Sequence, residues 1–130
     1  MGAAGTVVVV VEILAGTDVC TVIVTVDADG QVPEDVVRHA RLGVISYFGE
    51  FDGFIAGALH VSSDGERLVQ YLQWDSEAAY VRCRDDPWWD ELSSTERFMS
   101  HVRAGRVVID VRVFAVAVEL TQQFGGPGDD

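Results

Sequence analysis

The chain has 130 residues, 48% hydrophobic and 23% charged, a balance that fits one folded domain with a sizeable core and excludes a disordered polymer. Its net charge is −12, and its nine cationic side chains are all arginine. Such an acidic chain is repelled by phosphate backbones, which argues against nucleic acid, and the lack of lysine removes Schiff-base, pyridoxal-phosphate and ordinary phosphate-loop chemistry.

Residues 1–18 contain "VVVVVEILAG", whose β-branched run reads as an extra strand or an extended arm. No positive charge precedes it, Glu12 interrupts it, and it is too short to cross a bilayer, so neither a signal peptide nor a membrane span is expected. The expected compartment is the cytoplasm, with Cys20 and Cys83 as free thiols. The domain proper is expected over residues 19–120, followed by a flexible acidic tail at 121–130 that includes "GGPGDD".

From Cys20 to Val26 the sequence alternates, placing Val22, Val24 and Val26 on one face of a half-buried strand and Thr21 and Thr25 on the other. "DADGQ" is turn chemistry, and Pro33 with Glu34 and Asp35 reads as the first turn of a helix. Val37, Ala40, Val44, Tyr47, Phe48 and Phe51 then recur at helical spacing, predicting one helix that stops at "EFDG". Two strands follow, Phe54–Ser62 and Arg67–Trp74, joined by "SDGE", whose Asp-Gly is a strong hairpin signal. Asp75 or Ser76 caps a short helix over Glu77–Arg84. Asp86 and Pro87 open another helix running through Trp88, Trp89, Leu92 and Met99, and a long valine-rich strand is expected from Arg106 to Glu119.

Strand–helix–strand–strand–helix–strand predicts a ferredoxin-like α+β fold, an antiparallel sheet with helices on one face. A last strand this apolar on both faces predicts that a second subunit covers the open side, making a homodimer. No Gly-x-Ser-x-Gly elbow, Gly-x-Gly-x-x-Gly loop or metal-ligand spacing of His and Cys is present. The expectation is therefore no metal and no nucleotide cofactor.

Strand periodicity places Leu68, Gln70, Leu72 and Trp74 on one face. An amide there needs a partner, either a ligand in a pocket or a neighbouring backbone group. The indole N–H of Trp74 has the same need when buried. His39, at the margin of its helix stripe, and His101, near a helix end, read as structural.

The stretch "GFIAGALHVSSDGERLVQYLQWDSEAAY" resembles the antibiotic biosynthesis monooxygenase family of the dimeric α+β barrel superfamily. The likeness runs from about Cys20 to Glu119 and is densest from Gly53 to Tyr80. Its markers are "GF" at the second strand, "SSDG" at the hairpin and "YLQWDSEAAY" at the strand-to-helix junction. The resemblance implies a homodimeric enzyme that oxidises phenolic aromatic polyketides, typically anthrone to quinone, with molecular oxygen and no flavin, haem or metal. It implies catalytic roles for Trp74, Tyr80, His60 and Gln70, the last standing where a relative has asparagine. Leu72, Trp88 and Ser93 are the expected substrate contacts, with Ser93 in place of a pocket arginine. Haem-degrading relatives need an asparagine on the first strand and a histidine about ten residues after the tryptophan; "CTVIVTV" and Arg84 disfavour that branch. A polyketide cyclase of the same fold and a non-catalytic dimeric binding module remain as alternatives.

Overall fold

The computed structural model describes residues 19–117; the expected N-terminal strand or arm at 1–18 and the acidic tail lie outside them. Four strands, β1 (Cys20–Ala28), β2 (Phe54–Val61), β3 (Arg67–Trp74) and β4 (Val107–Phe114), form one antiparallel sheet in the order β2-β3-β1-β4. With helices α1 (Glu34–Leu42), α2 (Glu77–Arg84) and α3 (Ser93–Arg103), this is the expected ferredoxin-like α+β architecture. Among the described residues no helix is long and apolar enough to cross a membrane.

Register fixes which side chains share the helix side of the sheet. Val22, Val24 and Val26 stand opposite Leu72, Gln70 and Leu68 on β3 and opposite Val113, Val111 and Ile109 on β4. The alternation read from β1 and β3 thus holds, although Thr21 on the other face is buried as well. The hairpin between β2 and β3 closes through Ser62 N–H on the Arg67 carbonyl at 2.8 Å. Gly65 takes φ +76° there, while the Asp64 carboxylate accepts from Glu66 N–H at 2.9 Å. Ser76 caps α2 by accepting from Ala79 N–H at 3.1 Å.

Three elements differ from the sequence reading by more than two residues. The helix expected as one piece from Pro33 to Phe51 has Pro33 as its cap and regular turns only to Leu42; a π-helical turn over Gly43–Tyr47 and a 3₁₀ turn over Phe48–Glu50 replace the rest. Glycine at 43 lets the chain approach closely, since a Cβ there would stand 2.9 Å from Phe48 Cε2. The helix expected from Asp86 through Met99 is a 3₁₀ turn, Pro87–Glu91, broken from α3 by Leu92 in an extended conformation (φ −89°, ψ 128°). β4 ends at Phe114 rather than Glu119, and residues 118 and 119 lie outside the described region.

The core divides in two. Val22, Leu72, Trp74, Ala79, Tyr80 and Cys83 cluster where α2 meets the sheet, and Val26, Val36, Leu68, Phe98 and Val107 cluster under α1 and α3. Between them on the sheet lies the row Val24–Gln70, with Val24 packed against both clusters. An amide in the middle of an apolar face cannot be closed over by hydrocarbon without loss of hydrogen bonds, and the core parts at that row.

Candidate active site

Two adjoining cavities, about 170 and 300 Å³, open at this division, and both are lined by Val24, His39, Phe48, Gln70, Trp89 and Phe98. The smaller reaches Gly43 and the β4 residues Ile109 and Val111; the larger reaches Leu72, Tyr80, Arg84, Thr95 and Met99. The walls are mostly aromatic and aliphatic, with a few polar groups among them, the usual composition of a small-molecule site.

Gln70 is buried, and its Nε2 donates to the Ala40 carbonyl at 2.9 Å. Because a carbonyl can only accept, this bond fixes the amide orientation and leaves Oε1 as the end able to accept from a ligand. The same contact ties β3 to the last regular turn of α1, just before the π-helical turn begins. The sequence left open whether the amide serves a ligand or a backbone group, and the geometry allows both, one through each end.

His39 projects from α1 into the cleft. Its Nδ1 lies 2.9 Å from Ser94 Oγ, and its ring packs on Phe98 with centroids 5.1 Å apart. Burial first, and the Arg97 guanidinium second, push its pKa below the ordinary imidazole value, so the ring is neutral at neutral pH. With Nδ1 engaged by Ser94, Nε2 is the nitrogen left to exchange a proton with a ligand.

Tyr80 lines the larger cavity, and burial raises its phenol pKa, with Arg84 opposing from 5.9 Å over the ring; the hydroxyl is therefore a neutral donor. Arg84 itself forks onto Asp85 at 2.8 and 3.1 Å. The Cys83 thiol is pushed up to about 12, chiefly by burial, and burial also raises Cys20, so neither supplies a thiolate near neutral pH. Among the described residues no group of three or more His, Cys, Asp or Glu side chains is arranged to hold a metal.

Of the seven residues singled out in the sequence, the structure brings Gln70, Leu72 and Tyr80 to the cleft. Trp74 is fully buried one layer behind, edge-on to Phe48 (6.1 Å between centroids) and tilted against Tyr80 (6.1 Å), and its Nε1 has no hydrogen-bond partner among the described residues. His60 is not brought there: it pairs with Val69, one residue out of phase with Gln70, and is exposed on the sheet face away from the helices. Trp88 lines a separate surface hollow with Tyr47 and Phe51, while its neighbour Trp89 forms the cleft wall, anchored by Nε1 on the Cys83 carbonyl at 2.7 Å. Ser93 is exposed, and the next residue, Ser94, is the buried one that meets His39. His101 lies between Asp35 (3.5 Å) and Arg106 (3.0 Å), a structural position as expected.

No family model matches the chain. A segment of 57 residues is 39% identical to tetracenomycin-F1 monooxygenase of Streptomyces glaucescens; it spans 44% of this chain and 41% of that protein, so less than half of the curated relative is matched. Among solved structures, the fold is similar to SnoaB, a cofactor-independent oxygenase from Streptomyces nogalater, with TM-score 0.59 and 17% identity over 82% of this chain and 100% of that one. It is also similar to a monooxygenase from ActVA-Orf6 of Streptomyces coelicolor, solved with nanaomycin D, with TM-score 0.57 and 22% identity over 80% and 92% of the two chains. The partial sequence match and the shared fold support the antibiotic biosynthesis monooxygenase family, which the Gly53–Tyr80 stretch resembles.

Proposed function

We propose that this chain is a cofactor-independent monooxygenase that oxidises an anthrone-type phenol to a quinone with molecular oxygen. The observation that carries the reading is an imidazole, His39, held by Ser94 in the wall of an apolar cleft that the fixed amide of Gln70 also lines. The relatives' names point the same way: a tetracenomycin-F1 monooxygenase and a cofactor-independent oxygenase.

The chemistry asks little of the protein. Nε2 of His39 takes a proton from the substrate's benzylic CH₂, and the enolate oxygen is stabilised by donors in the cleft, among which Tyr80 Oη is available. The carbanion passes one electron to O₂, and the radical and superoxide combine to form the C–O bond. The peroxide takes back the proton from His39, and loss of water from CH–OOH leaves the carbonyl. One oxygen atom ends in the quinone and the other in water. Phe48, Trp89 and Phe98 keep bulk water from the carbanion.

Oxygen uptake by metal-free protein with a panel of anthrones and naphthols tests the reading. One O₂ consumed per quinone, insensitive to chelators, is the expected result. Substrate loss that proceeds equally under nitrogen would instead identify a cyclase. Ligand binding with no turnover in air would leave only a binding module.

We propose further that the protein works as a homodimer. On β4, Val108 (67% exposed) and Phe114 (44%) point away from the helices, and Ile109, Val111 and Val113 on the opposite side remain 38–44% exposed. Apolar side chains on both faces of one edge strand leave a surface that a second copy would bury. Sedimentation equilibrium at micromolar concentration should give twice the mass of 14.1 kDa expected for one chain. A stable monomer would end this part of the reading.

A further inference from the structure

The polar groups lining the larger cavity are unequal in what they already hold. Gln70 Nε2 is bonded to Ala40, His39 Nδ1 to Ser94, and Arg84 to Asp85. Thr95 differs: its Oγ1 is buried and has no hydrogen-bond partner among the described residues. A helical threonine ordinarily satisfies its hydroxyl on the carbonyl three or four residues back. Here the Leu92 carbonyl already accepts from the N–H groups of Thr95 and Glu96, at 3.1 and 3.4 Å. The adjacent Ser94 hydroxyl is engaged by His39, so two neighbouring hydroxyls in the first turn of α3 have different fates. One positions a protein group, and the other is left over, inaccessible where it stands, on a residue that lines the cleft.

A buried hydroxyl with no partner is unfavourable unless something else supplies the bond. Thr95 lines only the larger of the two cavities, the one bounded by Tyr80, Arg84 and Met99 and remote from β4. We infer that Thr95 is a specificity residue whose hydroxyl, turned into the larger cavity by a rotation about χ1, bonds a peripheral oxygen of the substrate, a ring hydroxyl or carbonyl seated there. The inference rests on the proposed function for the reaction but not for the binding. It names the ligand class more narrowly: an aromatic polycycle bearing an oxygen substituent besides the one conjugated with the reacting carbon. Because Oγ1 both donates and accepts, either a hydroxyl or a carbonyl satisfies it. A site built to bond such an oxygen discriminates against the analogue that lacks it.

The test compares anthrone with its dihydroxy derivative dithranol, on the wild type, Thr95→Val and Thr95→Ser. Equilibrium binding is measured under nitrogen and kcat/KM in air. The wild type should favour dithranol, and Thr95→Val should reduce that preference up to about tenfold, mainly through weaker binding. Thr95→Ser, which keeps the hydroxyl, should retain the preference. Should Thr95→Val fail to fold, Thr95→Ala, which also removes the hydroxyl, gives the same comparison; equal affinity of the wild type for anthrone and dithranol overturns the inference. An unchanged preference in a folded Thr95→Val overturns it too, the hydroxyl then being capped by water. Binding preference without oxygen consumption would sink the monooxygenase reading while upholding the role of Thr95. Failure of the wild type to bind either ring would sink the inference itself.

Discussion

Trp74→Phe should lower oxygen-dependent turnover roughly a hundred- to thousandfold while leaving the melting temperature close to that of the wild type. The indole is fully buried among Phe48, Phe54 and Tyr80, and its Nε1 has no partner among the described residues. Leaving a buried donor unpaired costs about 1–3 kcal/mol, so replacing it by a hydrocarbon ring relieves that penalty and offsets much of the packing lost with the smaller side chain. Removing one donor to a developing oxyanion, in contrast, typically raises a barrier by about 2.7–4 kcal/mol. The role requires that a ligand reach the N–H past Phe48 or Tyr80, the two rings that both touch the indole and line the cleft. Melting temperature and turnover per folded molecule, measured on the same variant, separate the readings. A clear loss of stability with unchanged turnover would make Trp74 a core residue and nothing more.

The sheet was legible in the sequence because its side-chain period is two and accumulates no phase error. The strand that the sequence predicts over Arg67–Trp74 is β3 with the same bounds, and Gln70 and Leu72 fall on the face that alternation assigns them. Local chemistry was equally transparent: the Asp-Gly hairpin and the Ser76 cap are visible in three or four residues. The helical side of the cleft was harder, because each irregular turn resets the phase of a stripe. The π-helical turn at Gly43 adds a residue to one turn, so the regular spacing that joined Val37 to Phe51 does not describe one face. The observed inner face of α1 runs Val36, His39 with Ala40, then Gly43, and it is this row that brings His39 to the cleft. The signal was present, three residues after a valine and four before a glycine, but a stripe drawn through Val37 left His39 at the margin. On α3, which the extended Leu92 sets off from the preceding turn, Ser93, placed by the resemblance where a relative has a pocket arginine, is exposed, while Ser94 meets His39 and Thr95 lines the larger cavity. In that preceding 3₁₀ turn, Trp89 and not Trp88 faces inward. The role expected of His60 rests on the resemblance alone, and its one-residue offset from Gln70's partner Leu59 puts it on the far face.

His39→Gln should cost about two to four orders of magnitude in kcat, the usual contribution of a positioned general base, because glutamine can keep a hydrogen bond to Ser94 but cannot take the substrate's proton. The wild-type rate should climb as pH rises through a pKa lower than that of a free imidazole and level off by neutral pH, since burial and Arg97 both disfavour the charged ring. The variant should lack that rising limb. Stability carries the same signature with a definite sign. A pKa lowered in the folded state means that the unfolded chain takes the proton first, so the His39 contribution is fully present above the ordinary imidazole value of about 6.5. It is lost as pH falls from there through the folded-state value. Melting temperatures of wild type and His39→Gln should therefore converge on acidification and separate toward neutrality. Ser94→Ala probes the support of the ring: with Nδ1 released, the limb should shift and KM change little, which a purely structural serine would not produce. If His39→Gln turns over at the wild-type rate with an unaltered pH profile, the proton leaves the substrate by another route, and the cleft keeps its ligand without this base.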